Sequence, residues 1–411
     1  MKNSAHQIQP EQPEFKREGP LRILIACDTY PPDVNGAAVF CFRLATALSK
    51  RGHEVHIVAA RTDNGPSYVE HRPEATVHRV QSHKAPTHET YRLCMPRTAT
   101  KVIAGVLDSI KPDVVHIQCH YMIGKAAQEQ TVKRGIPLIA TNHFMPENLE
   151  PFLPFPQWFL NIVSRNSWRD MGKIMGHANV VTTPTQLAAD EMAKRAKLPE
   201  VLALSNGIDS QHYELRRGEA IEHPDYPVIL FSGRLAVEKN VDVLIRAVAR
   251  FRGENAPHLH IVGAGEQRPK LEALVNELGL ADRVHFLGFV DDGELRRQYL
   301  LADIFCQPGT AELQSLVTLE ALSASKPVVL ANALALPHLA DDGVNGYLFT
   351  PGDDADLAAK LKLILDLTPE ERRAMGVAGH RKALQHAQGR TIDAFEALYR
   401  GASADDIRAM N

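Results

Sequence analysis

The feature that most constrains this chain is a strand, loop, helix alternation that runs its course and then starts again. From Leu21, L-R-I-L-I-A-C is a continuous apolar run, D-T-Y-P-P-D-V-N-G is rich in turn formers, and A-A-V-F-C-F-R-L-A-T-A-L-S-K-R-G shows helical periodicity up to Gly52. H-E-V-H-I-V-A-A, D-V-V-H-I-Q, P-L-I-A-T and A-N-V-V-T-T follow as further short strands, with helix-like segments between them. Such alternation predicts an open parallel α/β sheet. The segment E-L-R-R-G-E-A-I-E-H-P-D-Y-P is charged and poor in apolar residues, and reads as a linker. Beyond it the pattern restarts with P-V-I-L-F-S-G-R, L-H-I-V-G-A-G, R-V-H-F-L-G, I-F-C-Q-P and P-V-V-L-A-N, interleaved with helices such as N-V-D-V-L-I-R-A-V-A-R-F. The expectation is two α/β domains over 21–210 and 222–385, a last helical segment over 386–411, and a polar leader over 1–20.

A length of 411 residues suits two domains that each bury a core, and makes the cleft between them the default place for a site. With 46 basic against 49 acidic side chains, the net charge of -3 gives no global field for nucleic acid, so an anionic partner must meet a local cluster. Cys27, Cys41, Cys94, Cys119 and Cys306 are scattered and lack C-x-x-C spacing, which argues against a disulfide framework or a zinc site and fits a reducing cytoplasm. The leader lacks the apolar core of a signal peptide, and no run approaches the roughly 20 apolar residues of a membrane span. Contact with a membrane would be peripheral.

Two stretches of the second domain place charge where the carboxyl edge of a parallel sheet binds ligands. In S-G-R-L-A-V-E-K-N, Ser232 to Asn240, Arg234 and Lys239 follow a strand. Arginine offers a fork and lysine a point charge to a diphosphate, although a solvated loop with ordinary charges accounts for the same residues. In T-A-E-L-Q-S-L-V-T-L-E-A-L, Thr310 to Leu322, Glu312 precedes an apolar helix and Glu320 lies within it. Were the whole stretch helical, the two would stand roughly 12 Å apart along the axis, too far for an acid/base dyad. They read instead as two holds on one elongated ligand, with the helix start near Ser315, Leu316 and Val317 offering N–H groups to a phosphate. Two surface glutamates on an amphipathic helix is the competing reading, and the apolar company on nearly every side speaks against it.

The order of these motifs resembles the retaining glycosyltransferases of family 4, which have the GT-B fold. From Leu21 onward the chain carries Y-P-P-D-V-N-G-A-A, H-I-Q-C-H-Y, S-N-G-I-D, S-G-R-L-A-V-E-K-N, I-V-G-A-G, V-H-F-L-G-F-V, E-L-Q-S-L-V-T-L-E and D-G-V-N-G-Y-L-F. The resemblance implies two Rossmann-like domains facing each other across a cleft, with the last helix crossing back to the first. It implies that Arg234 and Lys239, beside Gly233, hold the diphosphate of a nucleotide-sugar donor, that Glu312 binds hydroxyls of the donor sugar, and that Glu320 binds the ribose. Backbone around Ser315, Leu316 and Val317 would touch phosphate, and that near Gly288 and Val290 the base. Asn35 and Gly36 would close over the donor from the first domain, Gly36 by permitting close backbone approach. His120 matches the histidine near the transferred sugar, and completes the catalytic set with Arg234, Lys239 and Glu312. The implied reaction retains the anomeric configuration by front-face displacement, with the departing diphosphate as base and no metal or cofactor. D-A-D at Asp354 to Asp356 accordingly reads as a helix cap. Two departures bear on the sugar: Ser315 stands where the family usually has glycine, and A-L-A-L-P-H at Ala333 to His338 replaces a glycine-rich turn with Pro-Glu.

In a GT-B enzyme the first domain binds the acceptor. Here Phe152, Phe155, Trp158, Phe159, Leu160, Ile162 and Trp168 lie beside Arg165, Arg169 and Lys173, as in an interfacial segment, with a core-facing helix as the alternative. The region resembles the family's enzymes that glycosylate diacylglycerol or related lipids, which assigns His143 to the acceptor pocket and Glu147 to an acceptor hydroxyl. The expected function is transfer of a hexose from a nucleotide diphosphate sugar to a hydroxyl on a membrane lipid, with a soluble acceptor such as a sugar phosphate, inositol or a natural product as the alternative. A nicotinamide-dependent oxidoreductase would need a complete G-x-G-x-x-G after the first strand, which the chain lacks. A non-catalytic sugar-nucleotide binding protein is disfavoured by the intact set of Arg234, Lys239, Glu312 and Glu320.

Overall fold

The computed structural model describes residues 18–33, 35–84, 92–145 and 156–410, so most of the leader lies outside it. The first domain opens with β1 (Arg22–Ala26), β2 (Glu54–Ala60), β3 (Tyr68–His71) and β4 (Thr76–Val80), followed by a hairpin of β5 (Ser82–Lys84) and β6 (Arg92–Cys94). β7 (Val114–Ile117), β8 (Leu138–Thr141), β9 (Val180–Thr183) and β10 (Leu202–Ala203) complete an eight-stranded sheet ordered β10-β9-β8-β7-β1-β2-β4-β3. Its pairings are parallel except that of β3 with β4. The second sheet contains β11 (Val228–Ser232), β12 (His258–Val262), β13 (Val284–Gly288), β14 (Ile304–Gln307), β15 (Val328–Ala331) and β16 (Gly346–Phe349). It is wholly parallel, in the order β13-β12-β11-β14-β15-β16.

Every residue of β7, β11 and β15 is buried, which is why their sequences are apolar but for His116 and Ser232. Leu24, Val58 and Val115 pack on one face of the first sheet with Ile103, Trp168 and Met171. Ile23, Ile57 and Val114 pack on the other with Leu44, Phe395 and Tyr399. The helix Gln388–Tyr399, near the end of the chain, thus belongs to the first domain's core, and the Tyr399 hydroxyl lies 2.7 Å from His116 Nδ1.

In each sheet the chain builds to one side of its starting strand and then crosses to the other. The reversal falls between β1 and β7 in the first sheet and between β11 and β14 in the second. At such a point the loops leaving the two strands diverge and open a crevice at the carboxyl edge.

Two kinds of feature differ from expectation. β3, β4, β5, β6, β10 and β16 are absent from the sequence reading; β4, T-V-H-R-V, has no apolar run because it buries an arginine. Arg79, 1% exposed, donates to the carbonyls of Ala60 (3.2 Å) and Tyr30 (3.5 Å) and pairs with Glu70 at 3.2 Å, contacts with no local sequence signature. The charged segment over 214–227 is also no loose linker. Arg296 donates to the carbonyls of His212 (2.7 Å) and Glu214 (2.6 Å) and to the Glu219 carboxylate (2.7 Å), pinning the segment to the second domain. Ile208 and Tyr213 are already in the second core, so the domains part ahead of residue 210. The chain crosses over at 205–208 and returns at 386–388, where Ile208 N donates to His386 O (2.8 Å) and Gln388 N to Ile208 O (2.9 Å).

Candidate active site

The loops leaving β11 and β14 flank the second switch point. Gly233 has φ +151, a conformation that favours glycine, and its N–H donates to Val262 O at 3.0 Å. Leu235 N–H donates to Ala264 O at 2.9 Å. A Cβ on Gly263 would fall 1.9 Å from Gly233 O, and one on Gly265 2.3 Å from Leu235 O. The glycines of I-V-G-A-G therefore seat the loop that carries Arg234. Across the switch point Thr310 N–H donates to Glu238 O (3.1 Å) and Asn240 Nδ2 to Thr310 Oγ1 (3.2 Å), stitching the two loops together. Lys239 Nζ is thereby brought into direct contact with Glu312 Oε1. Arg234 pairs with Glu238 at 2.8 Å and keeps 40% of its side chain exposed, so it stands at the mouth of the crevice while Lys239 and Glu312 lie deeper.

Ser315 caps the helix Leu316–Ser323, its hydroxyl oxygen accepting from Thr318 N–H at 3.3 Å. The first-turn N–H groups, those of Leu316 and Val317 included, have no carbonyl within the helix to bond. Glu320, one turn further, is 7% exposed. Its Oε2 accepts from the Tyr299 hydroxyl at 2.9 Å, the Tyr213 hydroxyl lies near it, and Arg43 from the first domain approaches to 3.6 Å. Burial raises its carboxyl above the usual range, with Arg43 and the two tyrosines acting in the opposite sense. The two glutamates thus stand in different settings, one on a lysine in the crevice and one caged. Gly288 (φ +70) and Val290 lie at the end of β13, two strands from β11 along the same edge, with Phe289 between them 76% exposed.

The loops leaving β1 and β7 flank the first switch point. Asn35 caps the helix Gly36–Lys50, its Oδ1 accepting from Ala38 N–H at 2.9 Å and from Thr29 Oγ1 at 3.3 Å. A Cβ on Gly36 would meet nothing within 4 Å, so no protein packing demands glycine there. His120 is 4% exposed; Nε2 lies 3.2 Å from Ser167 Oγ, Nδ1 has no protein partner, and burial lowers its pKa to about 4. His143, on the loop after β8, has Nε2 2.6 Å from Gln118 Oε1, and burial lowers its pKa to about 3. Glu147, Phe152 and Phe155 lie outside the described residues.

Three expectations are corrected or extended. The tryptophans do not share one surface: Trp158 is 66% exposed, whereas Trp168, 3% exposed, packs in the core with Arg195 over its ring. The cap of the helix Asp354–Leu365 is Asp353, which accepts from Ala355 N and Asp356 N at 2.9 Å each, and not the D-A-D that follows. Arg43, Tyr213 and Tyr299 were not singled out in the sequence because they reach Glu320 from distant segments. Among the described residues no group of three or more His, Cys, Asp or Glu is placed to hold a metal ion.

Residues 34–212 match the sequence family described as Glycosyltransferase Family 4, and residues 214–382 that described as Glycosyl transferases group 1. A D-inositol 3-phosphate glycosyltransferase of Actinosynnema mirum is 30% identical over 412 residues, which cover 92% of this chain and 94% of that protein. The alpha-monoglucosyldiacylglycerol synthase of Acholeplasma laidlawii is 24% identical, covering 81% of this chain and 86% of that one. Among solved structures, the sucrose-phosphate synthase of Thermosynechococcus elongatus superposes with a TM-score of 0.77 at 19% identity, over 92% of this chain and 98% of its own. Anabaena HepE in complex with UDP and glucose superposes with a TM-score of 0.70 at 19% identity, over 92% and 98%. With two facing Rossmann-like sheets and these matches along nearly its whole length, the chain belongs to the family 4 glycosyltransferases and has the GT-B fold.

Proposed function

We propose that this glycosyltransferase moves a hexose from a nucleoside diphosphate sugar to a hydroxyl of a membrane lipid, retaining the anomeric configuration and using no metal ion. The observation that carries the donor half is the Lys239–Glu312 contact between the two loops at the second switch point, next to the start of the helix Leu316–Ser323. A diphosphate seated there meets Arg234, Lys239 and the first-turn N–H groups, which favour the charge that develops on the leaving group. Lys239 also orients Glu312 to accept hydroxyl hydrogen bonds from the sugar, and Glu320 serves the ribose. His120 is neutral at ordinary pH; with Nε2–H on Ser167, Nδ1 is left to accept a hydrogen bond from a sugar hydroxyl. The departing diphosphate takes the acceptor proton, so the new bond forms on the face that the leaving group vacates and no protein nucleophile is required. Neighbours solved with UDP and UDP-glucose support a nucleotide-sugar donor.

The acceptor half is supported by the helix Gln157–Met175. Leu160, Ser164, Trp168 and Met171 face the core, while Trp158, Ile162, Arg165, Arg169 and Lys173 form an exposed stripe at helical spacing. An aromatic tip with three cations suits an anionic bilayer surface. Among the described residues no helix is long and apolar enough to cross a membrane, which fits peripheral docking. Five unpaired cysteines suit the cytoplasmic face. The inositol-phosphate relatives favour a soluble acceptor as the second reading.

Labelled UDP- and GDP-hexoses offered with diacylglycerol in anionic vesicles, and in parallel with inositol phosphate in solution, test the proposal. The expected product is a glycolipid whose anomeric configuration by NMR matches the donor, formed more slowly after charge reversal at Arg165 and Arg169. Transfer to the soluble acceptor alone, indifferent to those charges, would overturn the lipid assignment.

A further inference from the structure

The motif S-N-G-I-D and the glutamine of E-L-Q-S have no part in the chemistry above, yet the fold brings them together. Gln314, two residues after Glu312, is 8% exposed. Its Oε1 accepts from Asn206 N–H at 2.8 Å and its Nε2 donates to Ser205 Oγ at 2.9 Å, so both polar ends of this second-domain side chain are engaged by the first crossing between the domains. Ser205 ties in the return crossing: its Oγ lies 3.0 Å from His386 Nδ1, and its carbonyl accepts from Thr391 Oγ1 at 3.0 Å. Gly207 has φ +77, and a Cβ on it would come within 2.9 Å of both Gln388 Cα and Thr391 Oγ1, so the two crossings pack backbone against backbone. Next to Gln314, the Leu313 carbonyl accepts from Thr185 Oγ1 of the first domain at 3.1 Å.

We propose that Gln314 is a positioning residue that couples the loop bearing Glu312 to rotation of the domains about the double crossing. The inference rests on reading Glu312 and the start of the helix Leu316–Ser323 as the nucleotide-sugar site. Rotation between two rigid α/β domains is absorbed by the few residues of their crossings. Gln314 grips consecutive residues of one crossing, so it cannot follow that rotation without moving Leu313 to Ser315 or leaving buried polar groups unpaired. A ligand that draws on Glu312 or the helix start therefore biases the hinge, and by reciprocity closure biases the loop.

Hydrogen exchange of segments 203–208 and 386–391 in the full-length protein tests this, with and without saturating UDP, GDP or ADP, whichever raises the melting temperature. In the wild type, nucleotide should slow exchange there by about fivefold or more. Gln314→Ala should still bind the nucleotide, with Kd within about threefold, but gain less than about twofold protection. Gln314→Glu keeps an oxygen for Asn206 N–H and should restore part of the gain. Ser205→Ala breaks the other end, and carries the test should Gln314→Ala fail to fold. A merely structural role would lower the melting temperature of every variant yet leave the nucleotide-induced protection at its wild-type value, and that result overturns the proposal. So does a wild type that binds nucleotide without gaining protection. A wild type that binds none of the three nucleotides overturns the donor reading first, and this inference with it.

Discussion

At the scale of single residues, Leu334 has a backbone at odds with its side chain. It has φ 44 in the turn from Ala333 to Leu336, which is closed by Leu336 N–H on Ala333 O at 3.1 Å. A positive φ at the second residue of such a turn favours glycine or asparagine, and the family commonly has a glycine-rich turn here. A left-handed conformation costs a residue other than glycine about 1–2 kcal/mol, against about 0.5–1 kcal/mol of extra chain entropy lost by glycine. Leu334 is 38% exposed, so glycine would also forfeit about 1–2 kcal/mol of apolar burial, and burial with chain entropy outweighs the strain. Leu334→Gly should lower stability by about 0.5–1 kcal/mol in thermal unfolding; a raised melting temperature would show that the backbone strain outweighs what the side chain buries. The same turn donates from Ala335 N–H to the Glu312 carbonyl at 3.3 Å, so the variant also reports on the loop that carries Glu312. That Arg234, Lys239 and Glu312 lie on loops at one sheet edge was legible in the sequence, because each of those loops leaves an apolar strand. The cage of Glu320 was not, because Arg43, Tyr213 and Tyr299 are ordinary members of their own segments and meet only in three dimensions.

At the scale of elements, the helix Gln157–Met175 reconciles two readings that the sequence left open. One stripe is core and the other is solvent-facing, at a period that amphipathic helices share whatever lies outside them. Trp168→Ala should cost about 3–5 kcal/mol by urea unfolding, since a buried indole leaves a cavity. Trp158→Ala should stay within about 0.5 kcal/mol while weakening sedimentation with anionic vesicles. Equal losses of stability would mean that Trp158 is packed in solution, and undiminished vesicle binding would remove it from the membrane surface. Inner strands such as Val328–Ala331 were readable as unbroken apolar runs, because sheets covered on both faces admit little else. The edge pair of β3 and β4 was not, since Y-V-E-H and T-V-H-R-V owe their places to the tertiary partners of Arg79.

At the scale of the whole molecule, burial couples stability to pH. His116 and His143 have pKa values lowered to about 3, and His78, His120 and His386 to about 4, in each case chiefly by burial. Above a pH of about 6.5 these imidazoles are neutral folded or unfolded, and contribute no pH dependence. Below it the unfolded chain takes up protons that the fold refuses, so stability falls until the folded values are reached near 4. The slope is at most about 1.4 kcal/mol per pH unit for each such histidine. The melting temperature should be nearly level from pH 8 to 7 and drop between pH 6.5 and 4; a level course across that window would mean these histidines accept protons in the folded state. The claim on which the functional account turns is that the crevice between the loops of β11 and β14 holds a nucleoside diphosphate. Its most direct test is a thermal-shift titration with UDP, GDP and ADP on the wild type, Arg234→Ala and Lys239→Ala. One diphosphate should raise the wild-type melting temperature and raise that of both variants much less. Equal shifts in all three proteins would place the nucleotide elsewhere and contradict the account.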